Sequence, residues 1–355
     1  MPIEPPHRPL VVAVVGATGL VGRTMIEILA ERAFPVGELR PLASRADGRS
    51  VTFAGREWPV RVAEPDAFEG VDIAIFSAGG GTSKVLAPEA AARGAVVIDN
   101  SSQWRMEPGV PLIVAGVNDD DAADHEGIIA NPNCSTMQLM PLFRALRDAV
   151  GLKRVIVDTY QAVSGSGNKA VLELEEQVRA HVDGRPLEAA VYPHQIAFNV
   201  LPHIDVFLDN GYTKEEWKVT TETRKILHLP ELPVSCTAVR VPVVTSHSEA
   251  VHAELEGSMT PDEARELFAA VPGVVVQDDP ANDVYPLPID GAGVDEVFVG
   301  RIRADASLPA GKGLVFWVVS DNLRKGAATN AVEIAEIVER NGWLSKASER
   351  VAGTA

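Results

Sequence analysis

The chain has few cysteines, an excess of acidic over basic residues and no long apolar run. Among its 355 residues are only two cysteines, Cys134 and Cys236, which is too few for a disulfide framework. The longest apolar runs, such as residues 10–15, are far shorter than the roughly 20 residues that a membrane helix needs. The first nine residues lack the apolar core of a signal peptide. We therefore expect a reduced, cytoplasmic protein whose thiols are available for chemistry.

Basic residues are outnumbered, with 32 Lys and Arg against 49 Asp and Glu and a formal charge of −17. A phosphate backbone binds through neutralising Lys and Arg, so we exclude a general nucleic-acid binder. An anionic small substrate would need locally placed basic residues. The hydrophobic share of 46% and the charged share of 23% are typical of a globular protein, and the length suggests two domains.

The first part of the chain alternates short apolar strands with helical patterns. Residues 10–15 form a continuous β-branched run, as in a strand buried on both faces of a parallel sheet. Helical patterns follow at 24–34 and 83–93, and further buried strands are predicted at 71–76, 95–98 and 112–115. Such alternation predicts βαβ units.

Beyond residue 150 the strands alternate more between apolar and polar residues, which predicts a mixed or antiparallel sheet. These strands are predicted at 155–163, 237–244, 249–257 and 297–305. A last helix near 323–341 carries an apolar stripe, and we expect it to return to the first domain. The predicted fold is α/β: a Rossmann-type parallel-sheet cofactor domain (1–133 and 323–355) with a second α+β mixed-sheet catalytic and dimerisation domain (134–322). The site is expected in the cleft between them.

A glycine-rich turn lies between the first strand and the first helix. Gly16, Gly19 and Gly22 are spaced three apart, which suits a tight turn, a close approach of backbone to phosphate and close helix–strand packing. The helix N-terminus then presents free N–H groups to a pyrophosphate. An ordinary strand-to-helix turn is the alternative. We predict a dinucleotide site that also includes Thr18, Leu20 and Val21.

The end of the second strand favours NADP over NAD. An NAD site usually has an acidic residue there, bonded to the ribose hydroxyl. This chain instead has Ser44 and Arg45, which can hold a 2′-phosphate. The alternative is that Arg45 is an ordinary surface arginine.

Cys134 precedes a predicted helix whose apolar face contains Leu139, Phe143, Leu146 and Val150. A helix N-terminus stabilises a thiolate and lowers the thiol pKa from about 8.5. The same N–H groups, together with Asn133, are predicted to form an oxyanion hole. A lone cysteine is more often a small buried hydrophobic residue, an interpretation that suits Cys236 better than Cys134.

Four motifs together make the chain similar to the aspartate-β-semialdehyde dehydrogenase family. They are GATGLVG (16–22), NPNCSTMQ (131–138), QAVSGSG (161–167) and DNLRKGAATNA (321–331), and the resemblance extends from about residue 10 to 343. It implies that a cysteine attacks L-4-aspartyl phosphate, phosphate leaves, and NADPH reduces the thioester to the semialdehyde. In that family the product leads to lysine, threonine, methionine and isoleucine. We also expect a homodimer, or a dimer of dimers, with no metal and with no nucleic-acid or membrane partner.

The resemblance assigns roles to individual residues. Cys134 matches the nucleophile, His247 the general acid/base and Gln161 the residue that positions the thioester and nicotinamide. Asn133 is expected to be catalytic as part of the predicted oxyanion hole. The substrate-binding positions are Arg240 for the carboxylate, Arg105 and Lys225 for phosphate, and Glu222 for the amine. Further cofactor contacts are expected at Ser77, Gly79, Ser164, Gly165 and Asn322. The Ser44–Gly48 segment is shorter than the family's Ser-x-Arg-Ser-x-Gly pattern.

Simpler interpretations compete with some of these roles. Glu222 and Lys225 are three residues apart on a predicted helix, where an exposed ion pair is the usual outcome. Gln161 in a strand would otherwise be a surface residue. Arg240 and His247, seven apart on one flat strand, would point to opposite faces. The chain must therefore bend between them, and Thr245–Ser246 is the predicted break.

Two other functions remain open at this point. N-acetylglutamyl-phosphate reductase uses the same chemistry on a similar fold, but its cysteine motif reads Gly-Cys-Tyr-Pro-Thr where this chain has Asn-Cys-Ser-Thr. The other alternative is a catalytically silent NADP-binding regulatory protein. A thiol titrating well below 8.5 would argue against it.

Overall fold

The computed structural model describes residues 9–344. The chain divides into two compact units, a first unit of residues 9–132 and 327–344 and a second unit, Asn133–Gly326. No helix among the described residues is long and apolar enough to cross a membrane.

The first unit contains a six-stranded sheet in which every paired strand is parallel. Its elements up to residue 130 are β1 (Leu10–Val15), α1 (Leu20–Glu31), β2 (Val36–Ala43), β3 (Ser50–Phe53), β4 (Arg56–Pro59), β5 (Arg61–Val62), β6 (Ile73–Phe76), α2 (Gly80–Ala92), β7 (Val96–Asp99) and β8 (Ile128–Ala130). The strand order is β5-β2-β1-β6-β7-β8, and β3 and β4 form a separate hairpin. This order is doubly wound, and it reverses direction between β1 and β6. The predicted Rossmann-type sheet is confirmed.

The strands predicted in this unit are mostly confirmed, with one error. The β-branched run of β1 is buried at five of its six positions, because helices cover both faces of a parallel sheet. Residues 112–115 do not form a strand: Leu112 makes only an isolated bridge to Ala130. The sixth strand is β8, which the sequence analysis did not predict. Apolar residues at 112–115 fill the core without joining the ladder.

The second unit contains a six-stranded mixed sheet, as predicted. Its elements are α3 (Cys134–Val150), β9 (Leu152–Gln161), α4 (Asn168–Val182), α5 (Lys214–Ile226), β10 (Val234–Arg240), β11 (His247–Leu255), α6 (Pro261–Ala269), β12 (Val274–Val276), α7 (Pro288–Gly291), β13 (Val297–Ala304) and β14 (Gly313–Ser320). The order is β10-β9-β11-β14-β13-β12. The pairs β9–β10 and β12–β13 are parallel and the other three are antiparallel.

The two faces of this sheet differ. Along β11, His247, Glu249, Val251 and Ala253 are buried, while the intervening residues from Ala250 onward are partly exposed. On the exposed face the rings of Tyr160 and Trp317 pack 5.3 Å apart.

The last helix differs in form from its prediction. Arg324–Thr329 is a π-helical turn, and the regular helix α8 runs from Asn330 to Arg340. Ala331, Ile334 and Val338 of α8 lie in the apolar core of the first unit. The return of this helix to the first unit is therefore observed.

Candidate active site

The glycine-rich turn of the first unit is built so closely that side chains would not fit. Gly16 has φ +90°, and a Cβ there would lie 2.3 Å from the carbonyl oxygen of Ser77. A Cβ at Gly22 would lie 2.2 Å from the carbonyl oxygen of Gly16. Gly19 is the N-cap of α1, so Thr18, Leu20 and Val21 surround the N-terminus of that helix. The geometry fits a dinucleotide pyrophosphate, which needs bare backbone at a helix N-terminus.

A second turn stands beside the first, at the end of β6. The N–H of Ser77 donates to the carbonyl oxygen of Val15 at 2.8 Å, which joins the ends of β6 and β1. Gly79, with φ +80°, is the N-cap of α2. Ser77 and Gly79 thus follow the carboxyl end of β6, beside the end of β1, where the sheet order reverses. This is the usual ligand position in such sheets.

Ser44 and Arg45 follow β2 directly and are both exposed. The nearby Arg49 donates from Nη2 to the carbonyl oxygen of Arg45 at 2.7 Å and so steadies this segment. No acidic residue stands at the end of β2. These positions suit contacts to a 2′-phosphate.

Cys134 is the first residue of α3 and is partly exposed, as predicted. Asn133 is the N-cap, and its Oδ1 accepts the N–H groups of Ser135 at 2.8 Å and Thr136 at 3.4 Å. The prediction that these N–H groups and Asn133 form an oxyanion hole is therefore wrong for Ser135 and Thr136. The N–H groups of Ser135 and Thr136 already donate to the Asn133 side chain. This cap instead orders the helix turn that carries the Cys134 thiol.

Cys236 has the surroundings expected of a structural cysteine. It lies in β10 and is 3% exposed. Burial, with Glu249 and other nearby carboxylates, raises its thiol pKa well above the ordinary value. Of the two thiols, only Cys134 has both access to solvent and a helix N-terminus.

Glu222 and Lys225 lie on α5, but Glu222 is not exposed. It is 1% exposed, and its Oε2 accepts the N–H of Asn133 at 2.7 Å. The alternative of a plain surface ion pair is wrong for Glu222. Lys225 is partly buried one turn further along α5.

Arg240 and His247 are brought together by a break in the chain. β10 ends at Arg240 and β11 begins at His247, so residues 241–246 form the predicted bend, and Ser246 there has φ +77°. A Cβ at Gly165 would lie 3.2 Å from both Nη1 of Arg240 and Cε1 of His247. The absence of a side chain at Gly165 therefore lets both Arg240 and His247 approach the backbone at this point.

His247 is fully buried, and the hydrogen bond to its Nδ1 determines which ring nitrogen carries the proton. The N–H of Ala162 donates to Nδ1 at 3.0 Å, so in the neutral ring the proton resides on Nε2. Burial, with Arg240 as a further cause and Glu215 opposing, lowers the pKa of His247 to about 3. The ring is thus a neutral donor at Nε2. To accept a proton there, as the acid/base role requires, it would have to give up the bond from Ala162.

Arg240 is 4% exposed and has spare capacity to bind an anion. Its Nη1 donates to the carbonyl oxygen of Ala162 at 2.6 Å. Its buried Nε has no hydrogen-bond partner among the described residues. A buried guanidinium with an unused donor is suited to a carboxylate.

Gln161 is buried, so the alternative of a surface residue is wrong. Its Nε2 donates to Oε1 of Glu215 at 3.1 Å and lies 3.5 Å from Nε2 of His247. The same Oε1 accepts Nδ2 of Asn133 at 2.8 Å. Sequence reasoning missed Glu215, because it stands in the charged stretch KEEWK, which looks like an exposed helix face.

Ser164 and Asn322 bond to each other beside the same bend. Nδ2 of Asn322 donates to Oγ of Ser164 at 2.9 Å, and Oδ1 accepts the N–H of Ser246 at 2.9 Å. With Gly165, these predicted cofactor contacts therefore lie in one region of the second unit. Arg105 belongs to the first unit, where it is 7% exposed and donates to the carbonyl oxygen of Asn100 at 2.7 Å.

Comparisons with known proteins show which family the chain resembles. Residues 11–125 match the family model "Semialdehyde dehydrogenase, NAD binding domain", and residues 143–325 match "Semialdehyde dehydrogenase, dimerisation domain". The chain is 54% identical over 338 residues to aspartate-semialdehyde dehydrogenase of Aquifex aeolicus, covering 94% of this chain and 99% of that one. It is 51% identical over 342 residues to the Bacillus subtilis protein of the same name, covering 94% and 98%.

The chain belongs to the aspartate-semialdehyde dehydrogenase family. Aspartate semialdehyde dehydrogenase II of Vibrio cholerae, solved in complex with ASA, superposes with a TM-score of 0.91 at 44% identity, covering 94% of this chain and 99% of that one. Membership of the aspartate-semialdehyde dehydrogenase family favours an oxidoreductase with an NAD(P)-binding domain over both alternatives, the N-acetylglutamyl-phosphate reductase and the silent regulatory protein.

Proposed function

We propose that this chain catalyses the reversible NADP-dependent conversion of L-4-aspartyl phosphate into L-aspartate 4-semialdehyde and phosphate. The observation that supports this most is one connected arrangement in the second unit. Cys134 begins a long helix, and hydrogen bonds link its cap residue Asn133 through Glu215 to Gln161, which stands beside His247. A nucleophile, an amide, a neutral imidazole donor and an anion-binding arginine are the groups that acyl transfer from a phosphate requires.

Cys134 is the proposed nucleophile. Its Sγ forms a bond to the acyl carbon while the bond from that carbon to the phosphate oxygen breaks, and phosphate leaves with the electron pair. The N-terminus of α3 favours the thiolate that this attack needs. We assign the phosphate to Arg105 and Lys225, in keeping with their positive charge.

His247 in the observed state serves the acyl group as a hydrogen-bond donor. Its Nε2–H is available to a developing oxyanion, while the bond from Ala162 holds the ring. Gln161 places its amide beside the same nitrogen. A general acid/base role for His247 would begin with loss of the Ala162 bond.

Arg240 is the proposed partner of the substrate carboxylate, because its buried guanidinium keeps an unused Nε donor. We assign the substrate amine to Glu222, the buried carboxylate of α5 whose Oε2 accepts the N–H of Asn133. These two charges of opposite sign would orient an amino acid.

The two turns of the first unit are the proposed cofactor cradle. Gly16, Thr18, Gly19, Leu20 and Val21 would hold the pyrophosphate with Ser77 and Gly79, and Ser44 and Arg45 would hold the 2′-phosphate of NADP. Ser164, Gly165 and Asn322 are the proposed contacts from the second unit. When bound, NADPH supplies the hydride that reduces the thioester. The chain's part in that stage is to hold the acyl group. The semialdehyde is released when the bond from its carbon to Sγ of Cys134 breaks, and the electron pair returns to Cys134 as a thiolate.

We also propose a homodimer formed through the exposed face of the second sheet. Tyr160 is 38% exposed there and packs on Trp317. Exposed aromatic residues are enriched in interfaces. The matched "dimerisation domain" includes this sheet. A reducing, cytoplasmic location is proposed as well, since neither Cys134 nor Cys236 takes part in a disulfide bond.

Trapping the acyl-enzyme tests the mechanism. The protein is mixed with L-aspartate 4-semialdehyde and NADP⁺ without phosphate, so that the thioester forms but cannot be released to phosphate. We expect a burst of NADPH comparable to the amount of enzyme, and an aspartyl adduct on the peptide that contains Cys134. Cys236→Ser should give the same burst. An adduct on Cys236, or no burst, would contradict the proposal.

A further inference from the structure

Glu215 is a buried carboxylate at the start of α5 that contacts three other groups. It is 6% exposed. Its Oε1 accepts Nδ2 of Asn133 at 2.8 Å and Nε2 of Gln161 at 3.1 Å. Its Oε2 accepts Nζ of Lys218 at 2.9 Å, and Lys218 also donates to Asp205 at 2.9 Å. One oxygen thus serves two amides and the other serves a cation.

We propose that Glu215 is a positioning residue that fixes which way the amides of Asn133 and Gln161 face, and so orders both the nucleophile's helix and the amide beside His247. The inference rests on the proposed function for the roles of Cys134 and His247. An acceptor-only group is needed at this place because two NH₂ groups converge on a single oxygen.

The consequence for Asn133 concerns the helix cap. With Nδ2 held by Glu215, Oδ1 must face the N–H groups of Ser135 and Thr136, which it caps. A rotated amide would direct NH₂ at these N–H groups, and the first turn of α3, with Cys134, would lose its cap.

The consequence for Gln161 concerns His247. Its Oε1 accepts Oγ1 of Thr159 at 3.1 Å while Nε2 is held by Glu215. This leaves the NH₂ group, not the oxygen, beside Nε2 of His247. A rotated amide would offer an acceptor to the Nε2–H and withdraw that donor from a bound acyl group.

Lys218 keeps the carboxylate ionised and oriented. Burial acts to raise the pKa of Glu215, but Lys218 and the hydrogen bonds from Asn133 and Gln161 outweigh it and lower this pKa to about 2. In Glu215→Gln, one end of the new amide faces Lys218 and the other faces two amide donors. Whichever way it turns, its NH₂ group meets a donor.

The experiment uses the contact between donors that Glu215→Gln introduces at this position. Glu215→Gln, the double variant Glu215→Gln/Lys218→Met and the control Glu216→Gln are compared by alkylation of Cys134 with iodoacetamide, followed by peptide mass spectrometry, and by kcat, KM and Tm. Glu216 is the adjacent buried glutamate, but it accepts the N–H groups of Thr213 and Ala238 instead. The alkylation needs neither substrate nor cofactor, so it is informative even if the proposed reaction fails.

We expect Glu215→Gln to slow alkylation about fivefold, as loss of a helix cap implies, and to lower kcat more than KM. The double variant should return close to the wild-type rate, since methionine lets the glutamine oxygen face both amides. Glu216→Gln should lower Tm without slowing alkylation.

Wild-type-like or faster alkylation in Glu215→Gln would overturn the inference, because removing a negative charge alone favours the thiolate. Equal slowing in Glu216→Gln would overturn it too. If Glu215→Gln does not fold, the double variant decides: wild-type alkylation supports the inference and slow alkylation overturns it.

Discussion

The backbone N–H of Ala162 donates to Nδ1 of His247 at 3.0 Å, so the buried ring is held neutral with its proton on Nε2. The environment that lowers the pKa of His247 to about 3 makes stability depend on pH. The unfolded ring has a pKa of about 6.5 and gains a proton below it, whereas the folded ring does not.

Stability should therefore fall as pH is lowered below about 6.5, and His247→Asn should reduce that fall. Between about pH 7.5 and about pH 5, the free energy of unfolding should fall by about 2 kcal/mol more in the wild type than in His247→Asn. The free energy of unfolding, measured in urea at both pH values, tests this. The contributions of the other titratable groups to this pH dependence cancel when the wild type and His247→Asn are compared. Parallel pH profiles would show that the folded ring titrates normally.

Gly165→Ala should impair catalysis without unfolding the protein. The added methyl would lie 3.2 Å from both Arg240 and His247, so each side chain must shift by a few tenths of an ångström. A misplacement of this kind can reduce kcat/KM by about tenfold or more. Ser166→Ala, at the exposed neighbouring residue, is the matched control. Kinetics and Tm of both variants check the expectation; a Gly165→Ala enzyme with unchanged kcat/KM would refute it.

Arg240→Lys should cost roughly 10–150-fold in kcat/KM, because lysine cannot reproduce the two parallel hydrogen bonds of a guanidinium to a carboxylate. The KM for the semialdehyde should rise most, since the carboxylate is bound in both ground and transition states. The KM for phosphate should change less. Varying each substrate in turn separates these effects, and the reverse pattern would mean that the two anion sites are interchanged.

Arg45→Ala should weaken the use of NADPH and leave the use of NADH nearly unchanged. Arg45 is exposed after β2, and only NADPH carries a 2′-phosphate for it to bind. Wild-type enzyme should prefer NADPH. Initial rates with each cofactor test both expectations, and equal losses with the two cofactors would indicate a structural role for Arg45.

Trp317→Glu should separate the proposed dimer, because it places a charge among the packed aromatic residues of the exposed sheet face. Val85→Glu, at an apolar residue 64% exposed in the first unit, introduces the same charge elsewhere. Light scattering after gel filtration should give half the wild-type mass for Trp317→Glu alone. A Trp317→Glu protein of undiminished mass would contradict the proposed interface.

The main elements of the fold could be predicted because their patterns are local. The β-branched run of β1 has no helical alternative, and the parity of the spacing between Arg240 and His247 required the bend that the structure shows. The strand expected at 112–115 failed because apolarity reports burial and not pairing: those residues are buried beside the sheet, and only Leu112 makes a bridge.

Part of the candidate site could not be predicted because it depends on contacts distant in sequence. Glu215 lies 82 residues from Asn133, and nothing in the charged stretch around it distinguishes a buried carboxylate from an exposed one. The bond from Ala162 to His247 joins residues 85 apart in the chain. Motifs identified the groups that carry the chemistry, whereas the packing of α5 and β11 determines how those groups are held.

The most direct test of the central claim is a coupled assay of the reverse reaction. Purified protein is mixed with L-aspartate 4-semialdehyde, phosphate and NADP⁺, and the absorbance of NADPH is followed, with Cys134→Ser as the blank and N-acetylglutamate semialdehyde as the competing substrate. We predict sustained NADPH formation with aspartate semialdehyde that requires phosphate and is nearly absent in Cys134→Ser. Turnover of N-acetylglutamate semialdehyde alone, or of neither substrate, would contradict the proposed function.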